Sequence, residues 1–475
     1  MTFDISEQVE ALIDAAIACE MYDAPELAGF VQTGNGFTSY NGATGQSVTL
    51  PGRHGYQGPE DNYSGALDPS VSLVNGVPAT EMFAKWETRI YEMFHPFKTM
   101  PRPEDFDEQI TGFEPVLQRL AINPETFTVV GASGAEYLDF EVDGNEQFTL
   151  VDSASAQFAL MQGLTAEAFR TYYLDRFPLI TQRQYALAQM LMVSVTGEQV
   201  MWQKLQEDVT TVVSDATAAF NERAGIPIDL GVVATVLSLA ALIPQAAPVA
   251  GPAATIVGAL STIPSSSDEH EYTYDLRGDD AESIWSSLQD CVAKLKELAG
   301  DQESDLGFHM SRLKGLMVAT PSDFNLGAID DPNDADTTSE GTELETTTDA
   351  SSVISDTGTM NLDFDIMVLT GQNLQTVSTE FAQAASDLNG VLSSGAWSRS
   401  GSIGKGYIGH YEETAETLDV LVSVLHGTAQ GLHRAGEVVQ IAARRIRGED
   451  EQANADLDRH RAQVQEVEMA EATPG

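Results

Sequence analysis

Basic side chains are scarce in this sequence. Its 475 residues include 24 Lys and Arg against 72 Asp and Glu, which gives a formal net charge of −48. A surface this acidic repels nucleic acid and anionic membranes, because both are themselves negatively charged. We therefore expect no nucleic-acid partner. A basic protein partner, a divalent cation, or simple solubility in a salty or extracellular medium fits this charge better.

Cysteine is also rare. The two cysteines, Cys19 and Cys291, are too few to form the disulfide framework of a small secreted domain. Cys19 lies in the apolar run ALIDAAIACEMY, which is typical of a small buried side chain. The sequence leaves open whether the two cysteines pair.

No N-terminal signal of the Sec type is visible. The first ten residues, MTFDISEQVE, are acidic and lack the basic region with which such a signal begins. If the protein leaves the cell, we expect it to use another export route.

One long stretch, residues 230–264, has no charge, but prolines interrupt it. Pro244, Pro248 and Pro252 divide it into two apolar pieces, each shorter than the roughly 18 to 20 residues that a membrane span requires. The interpretation we prefer is a buried helix-turn-helix, since apolar surfaces of this size are usually covered. The other interpretation is a tip, residues 230–263, that enters a membrane.

No set of residues with defined catalytic roles stands out. The motif S-x-x-K occurs at 311–314 and 402–405, but two fixed letters recur by chance, and the partner motifs of a Ser-Lys acylase are missing. His426 and His433 share a helical stretch at a spacing of seven, too far apart for the i, i+4 pair that binds a metal. We therefore predict no enzyme activity, no cofactor and no metal site.

The stretch SGAWSRSGSIGKGY, residues 394–407, contains a Gly-Lys pair, as phosphate-binding loops do. The pattern G-x-x-x-x-G-K-[ST] would need Gly at position 399 and Ser or Thr at position 406, where this sequence has Arg399 and Gly406. The buried strand that precedes such a loop is also missing. We predict instead a turn that reverses the chain, with Trp397 folded back on the adjacent helices.

Helical periodicity dominates the rest of the chain and predicts a mainly α fold, a helical bundle with long antiparallel helices. Apolar residues recur at three- and four-residue steps in five stretches: 6–22, 80–97, 100–120, 155–223 and 281–317. Residues 31–78, rich in Gly, Ser, Asn and Pro, are expected to be mostly irregular. Residues 126–151 are expected to form short strands or to be irregular.

Composition divides the chain into five parts. Residues 321–360 hold ten acidic residues and no basic one, which predicts a disordered acidic linker. The expected parts are N-terminal helices with a long irregular insertion at 1–99, a helical bundle at 100–320, the linker at 321–360, a helical hairpin at 361–448 and a flexible tail at 449–475.

Two helices flank the predicted turn in the C-terminal part. Apolar residues in the first recur by three and four from Leu374 to Val391. In the second, a large residue recurs every seven positions, a set that we call the ladder: Tyr411, Leu418, Leu425, Leu432, Val439 and Ile446. The positions four residues beyond the first five are mostly small, from Ala415 to Ala443, so another helix backbone can approach closely. A lone antiparallel hairpin buries little surface, so we expect it to dock on another helical unit, in this chain or another.

The hairpin resembles the Trp-x-Gly (WXG-type) helical hairpins that type VII (ESX) secretion systems of Gram-positive bacteria, especially actinobacteria, export. Trp397 lies in the turn, and Gly401 supplies the glycine in a stretched form of the family motif. The Tyr-x-x-x-Asp export signal of the family corresponds here to Ile446 and Asp450, with Ile in place of the aromatic residue.

The preceding part is similar to the extended actinobacterial WXG-like proteins. PRPEDFDEQI resembles the start of their first helix, and LMQGLTAEAFRTYYLDRFPLITQRQ resembles their turn and second helix. Met161 stands in place of the Trp, while Gly163 and Phe169 match the Gly and the Phe of that turn. The resemblance covers residues 100–320 and 361–457 and leaves residues 1–99 outside.

This resemblance implies a non-enzymatic protein-interaction module: a substrate, partner or escort of type VII secretion. The ladder would pair helix to helix with another WXG-like hairpin or with a component of the secretion system. The resemblance also implies that the protein is cytoplasmic before export and is then secreted or displayed on the cell surface. The alternative function is an α-helical pore-forming or membrane-inserting protein that uses residues 230–263.

Overall fold

The protein is mainly helical, which confirms the predicted fold class. The structure is a computed structural model, and it describes residues 3–23, 30–33, 36–39, 46–49, 73–74, 77–121, 125–130, 136–142, 144–161, 164–222, 226–230, 272–276, 278–328 and 363–471. Its α-helices are α1 Ser6–Asp23, α2 Ala79–Phe94, α3 Asp107–Thr111, α4 Glu114–Leu120, α5 Thr149–Phe158, α6 Leu164–Phe169, α7 Phe177–Glu222, α8 Ala281–Ala319, α9 Phe364–Leu388 and α10 Tyr411–Glu471.

Short strands interrupt the helices and pair only in antiparallel fashion within the described ranges. The strands are β1 Phe30–Thr33, β2 Gly36–Ser39, β3 Gln46–Thr49, β4 Leu73–Val74, β5 Val77–Pro78, β6 Glu125–Val130, β7 Glu136–Val142, β8 Ile226–Leu230 and β9 Tyr272–Leu276. The first three form one sheet, and the others form two-stranded ribbons. The segment 31–78, predicted to be mostly irregular, thus contains five short strands where it is described. The segment 126–151 contains a β-ribbon followed by the start of α5.

Helix α7 lies at the centre of the helical bundle. Its middle, from Gln184 to Glu198, is buried on nearly every side, as expected of a helix enclosed by others. Helices α1 and α8 pack against it. Near its C-terminal end, Trp86 of α2 makes edge-to-face contacts with Phe220, at 5.7 Å between ring centroids, and with Trp285 of α8, at 5.8 Å. The end of α7 therefore lies beside the start of α8, and these two long helices run antiparallel.

Helices α9 and α10, with the turn 389–410 between them, form an antiparallel hairpin that docks on the rest of the same chain. We call this unit the hairpin, and helices α1–α8 the N-terminal bundle. Helix α9 packs on α4 and α5, and helix α10 packs on α7 and α8. An aromatic group joins the two units: Phe381 of α9 stacks on Phe148, at 5.6 Å, and meets Phe177 of α7 edge to face, at 5.9 Å.

The chain after α8 stays packed against the bundle beyond residue 321, where the predicted linker begins. A 3-10 turn spans Pro321–Asp323, and Phe324 and Leu326 are buried. Gln184 of α7 donates a hydrogen bond to the Phe324 carbonyl at 2.6 Å. The predicted linker therefore begins no earlier than residue 329, and residues 329–362 lie outside the described residues. At the other end of the hairpin, α10 is helical through Glu471, beyond the predicted boundary at 448.

The predicted apolar hairpin 230–264 falls almost entirely outside the described residues. Strand β8 ends at the start of this region and strand β9 follows it. The two strands pair in antiparallel fashion, with Leu230 opposite Tyr272. Among the helices that the structure describes, none combines the length and apolar character needed to cross a bilayer.

The two helices of the hairpin approach each other closely at a pair of glycines. A Cβ atom on Gly436 of α10 would lie 2.5 Å from the carbonyl oxygen of Gly371 in α9, and a Cβ atom on Gly371 would lie 2.5 Å from the carbonyl oxygen of Gly436. Gly436 is one of the small residues that accompany the ladder. The absence of side chains at this crossing is what allows the backbones to meet.

We expect Gly436→Ala to destabilise the protein by about 1–3 kcal/mol, because the new methyl group forces the two helices apart. The matched control is Gly448→Ala, further along the same helix, where a Cβ would meet nothing within 4 Å. That change should stabilise the protein by up to about 1 kcal/mol through helix propensity alone. Urea unfolding followed by circular dichroism measures both. Equal stabilisation by the two substitutions would contradict the close crossing.

Candidate functional site: a buried charge cluster under the hairpin turn

The turn of the hairpin is enclosed by the N-terminal bundle. Trp397 is fully buried and makes edge-to-face contacts with Phe106, at 5.4 Å between ring centroids, and with His410, at 4.9 Å. Its indole Nε1 donates a hydrogen bond to Oε1 of Gln109 in α3 at 3.1 Å. The same oxygen accepts a hydrogen bond from the backbone N–H of Ser393 at 3.3 Å. The turn is thus held by a shape-filling aromatic ring and by a side chain of the bundle.

Arg399, two residues after Trp397, projects its guanidinium into the interior. Its side chain has no exposed surface and pairs with Glu303 of α8, while its Nη1 lies 3.5 Å from Oε1 of Glu198 in α7. The guanidinium also lies over the ring of Trp202, 4.8 Å from the centroid. Its remaining donors bond carbonyls of the turn itself, Trp397 O at 3.2 Å and Ile403 O at 3.4 Å. One arginine therefore joins two helices of the bundle to the hairpin.

The backbone of the turn is shaped around the same carboxylate. Gly404 and Gly409 have φ angles of +63° and +57°, in a backbone region that residues other than Gly rarely adopt. A Cβ at either position would run into the Glu303 carboxylate. The backbone N–H of Lys405 donates a hydrogen bond to Oε2 of Glu303. Both oxygens of this carboxylate therefore accept hydrogen bonds from the turn.

His410, the last residue of the turn, completes what we call the charge cluster: Arg399, Glu198, Glu303 and His410. Its Nδ1 lies 3.3 Å from Oε2 of Glu198, and its Nε2 lies 3.2 Å from Oγ of Ser194. All four side chains of the cluster are fully buried. The cluster therefore depends on the protein itself for its charge balance, because no water screens it.

The charge balance of the cluster requires a bound proton. Burial raises the pKa of Glu198 above its usual value, and burial together with the charge of Glu198 raises the pKa of Glu303 well above its usual value. The two carboxyls titrate as a pair, and the guanidinium balances one of them. The pair Glu198 and Glu303 therefore holds one proton between its two carboxyls. Burial also lowers the pKa of His410 to about 4, so the imidazole is neutral at neutral pH.

Ser194, His410 and Glu198 have the connectivity of a nucleophile, a base and an orienting acid. Two features argue against catalysis there. All three residues are fully buried, so a substrate would have to displace the hairpin to reach Ser194. His410 belongs to the hairpin, so that displacement would remove the base. The arrangement therefore packs the end of the turn against α7 and has a structural role.

The ladder lies inside the protein rather than on its surface. Leu418, Leu425, Leu432 and Val439 are buried, and Tyr411 and Ile446 at the two ends are partly buried. The helices that cover α10 are α9 of the hairpin and α8 and α7 of the bundle. A partner chain that used the ladder would have to displace these helices first.

The remaining predicted site residues lie in separate places. Gly401 sits in the exposed outer part of the turn, beneath the ring of Tyr407. Met161 is partly buried between α5 and α6, and Phe169 at the end of α6 lies 5.0 Å from the ring of Phe158. Gly163 lies outside the described residues. Asp450 falls within α10, one turn beyond Ile446.

Other candidate groups do not assemble into a site in the described chain. His426 and His433 are exposed on α10, and His433 lies 3.4 Å from Glu437. No group of three or more His, Cys, Asp or Glu side chains with metal-binding geometry occurs among the described residues. Cys19 and Cys291 are buried thiols and are not joined by a disulfide. Burial raises the pKa of Cys291 to about 12, so this thiol stays protonated at neutral pH.

Sequence reasoning did not predict the charge cluster, although two signals were visible. Glu198 is the only charged residue between Arg183 and Lys204 in the sequence, and a charge in such an apolar stretch indicates a buried partner. Arg399 is a basic residue in a Gly- and Ser-rich turn of a chain that has few basic residues. Neither signal identifies the partner, because the two lie on distant parts of the chain.

Comparisons with known proteins give no relative from which to transfer a function. No protein family model matches the chain. No curated protein and no solved structure matches it either.

We expect Arg399→Met to destabilise the docked hairpin by roughly 3–5 kcal/mol, because the change leaves two buried carboxyls without their cation. Lys314→Met is the matched control: Lys314 also joins the bundle to the hairpin, by a 2.6 Å contact with Glu416, but at the surface. Its loss should cost less than about 1 kcal/mol. Urea unfolding, with hydrogen exchange of α10 as a local readout, measures both changes. Similar small costs for the two variants would contradict the importance of the buried pair.

Proposed function

We propose that this protein is a non-enzymatic protein-interaction module of a type VII (ESX) secretion system, and that its C-terminal hairpin serves as its own WXG-like partner. The carrying observation is that the hairpin, with Trp397 in its turn, docks its ladder-bearing helix on the long helices α7 and α8 of the same chain. In a complex of two WXG-like proteins, each chain would contribute one pair of helices. Here a single polypeptide carries both pairs.

Several features support this proposal. The hairpin turn places a buried Trp against the helices, as the family motif implies. The second run that resembles the family begins with Met161, just after α5, and ends with Phe169, the last residue of α6. Ile446 and Asp450, which correspond to the export signal, lie one turn apart on a single helix that extends to Glu471. These features support a helical substrate or escort that is exported in a folded, paired state.

The self-pairing can be tested by cutting the segment between the two units. A specific protease site is inserted between residues 345 and 346 of the full chain, and the purified protein is cleaved after folding. We expect the two parts to elute together at micromolar concentration, because the ladder and the charge cluster remain in contact. Cleaved Arg399→Met protein should separate more readily. Complete separation of the parent protein into two species would contradict pairing within the chain.

The secretion context is tested in an actinobacterial host. We expect the tagged full chain to reach the culture medium when a type VII system is intact and to stay in the cells when it is disabled. Asp450→Ala should reduce release several-fold, while Asp456→Ala, a matched acidic change on the same helix, should not. Release that is unaffected by disabling the system would overturn the secretion proposal and leave the pairing within the chain standing.

A further inference from the structure

The charge cluster joins three segments that separate if the hairpin leaves the bundle. Glu198 and Glu303 belong to α7 and α8, whereas Arg399 and His410 belong to the hairpin turn. We propose that the cluster makes docking of the hairpin pH-sensitive, so that docking is tightest in mildly acidic solution and weakens as the pH rises above neutrality. This inference depends on the docking geometry and not on the secretion context.

The groups that face His410 come from every element packed around it. They are Glu198 and Ser194 of α7, Glu303 of α8, Arg399 and Lys405 of the turn, and Glu413 of α10. Arg399 pairs with Glu303, and Lys405 pairs with Glu413. Within each pair the positive charge and the negative charge cancel. The charge of the cluster is therefore decided by the protons on the two carboxyls, Glu198 and Glu303, and on His410.

The docked cluster, with Arg399 charged, is neutral when Glu198, Glu303 and His410 hold one proton in total. Loss of that proton leaves a buried negative charge without a counter-charge, and gain of a second leaves a buried positive charge. Either charge is costly where no water can reach it. Burial shifts the pKa values in the corresponding directions: it raises the pKa of Glu198 and lowers the pKa of His410 to about 4. The docked state thus keeps one proton over a wide pH range.

The undocked state exposes the same groups to water and returns them to their ordinary pKa values, about 4.5 for the glutamates and about 6.5 for the histidine. Between these values His410 binds one proton in the undocked state, so docking neither takes up nor releases protons. Above about 6.5 the undocked groups hold none, and docking must take up a proton. Its affinity therefore falls by about tenfold per pH unit until the docked cluster itself loses its proton.

The two pKa shifts contribute opposite signs. The raised pKa of Glu198 contributes stability that is present at low pH and is lost as the pH rises. The lowered pKa of His410 contributes stability that is present at high pH and is lost as the pH falls through 6.5 towards 4. Between about 4.5 and 6.5 the two effects offset each other, which gives the plateau. Above that range only the glutamate effect remains.

The test uses the full chain, cleaved between residues 345 and 346 after folding, so that docking becomes an association between two parts. The dissociation constant is measured at constant ionic strength from pH 5 to pH 8.5. We expect it to be constant up to about pH 6.5 and then to rise by about tenfold per pH unit. If the parts bind too tightly to separate, the pH dependence of the urea midpoint of the uncleaved chain gives the same slope.

Two substitutions should change the slope in different ways. Glu198→Gln carries a permanently neutral side chain of nearly the same shape, so the docked cluster no longer needs a proton. Its affinity should be constant above about pH 6.5 and should fall below that value, the reverse of the parent. His410→Asn removes the histidine from the undocked state, so the decline should begin near pH 4.5 instead of 6.5.

The control is His433→Asn, which removes an exposed histidine of α10 and should leave the parent profile unchanged. The readout is the slope against pH, so a variant that simply lowers the affinity at every pH does not imitate the effect. A parent affinity that is constant from pH 6.5 to 8.5 would overturn the proposal. So would a Glu198→Gln variant that keeps the parent slope.

Discussion

The ion pair between Arg399 and Glu303 beneath the hairpin turn is the contact on which the relation between the two units depends. Apolar helix surfaces tolerate displacement, because a ladder that repeats every seven residues presents nearly the same face after a shift of one repeat. A buried guanidinium does not tolerate it, since a shift would leave it facing apolar side chains. Arg399 is held over Trp202 and between two carboxyls from different helices. The charged contact fixes the register, and the apolar ladder contributes hydrophobic burial.

Local patterns in the sequence were sufficient to predict the long helices but not the contacts between them. The three- and four-residue steps predicted α1, α2, α7, α8 and the two helices of the hairpin, because periodicity reports which face of a helix is covered. Whether the hairpin docks on its own chain was left open. That question depends on residues such as Arg399 and Glu303, which are 96 positions apart. Periodicity carries no information on such a pair, and a single sequence offers no other measure of distance.

The chain stays packed beyond the predicted start of the linker at residue 321, because composition does not reveal individual buried side chains. Residues 321–328 have the polar composition of the linker that follows them, yet Phe324 is buried beside Arg183 and Gln184 of α7. The average composition of residues 321–360 does not reveal that one aromatic residue, Phe324, is buried. The charge cluster is a similar case, since Glu198 and His410 are ordinary residues until the fold brings them within 3.3 Å of each other. What could be predicted was local order, and what could not was the identity of each long-range partner.

The scarcity of basic residues gives the contacts between the two units unusual weight. Both units carry more acidic than basic residues, so they repel each other at long range. The charged contacts described between them reverse this repulsion locally: Arg119 of the bundle bonds Glu380 and Asp387 of α9, and Lys314 bonds Glu416 of α10. These pairs are partly exposed and are therefore screened by salt, as is the repulsion itself. Salt does not screen the Arg399–Glu303 pair, because both side chains are fully buried. A buried ion pair therefore adds to the apolar contacts an attraction between the two acidic units that does not weaken as the ionic strength rises, and in this chain the turn of the hairpin carries it.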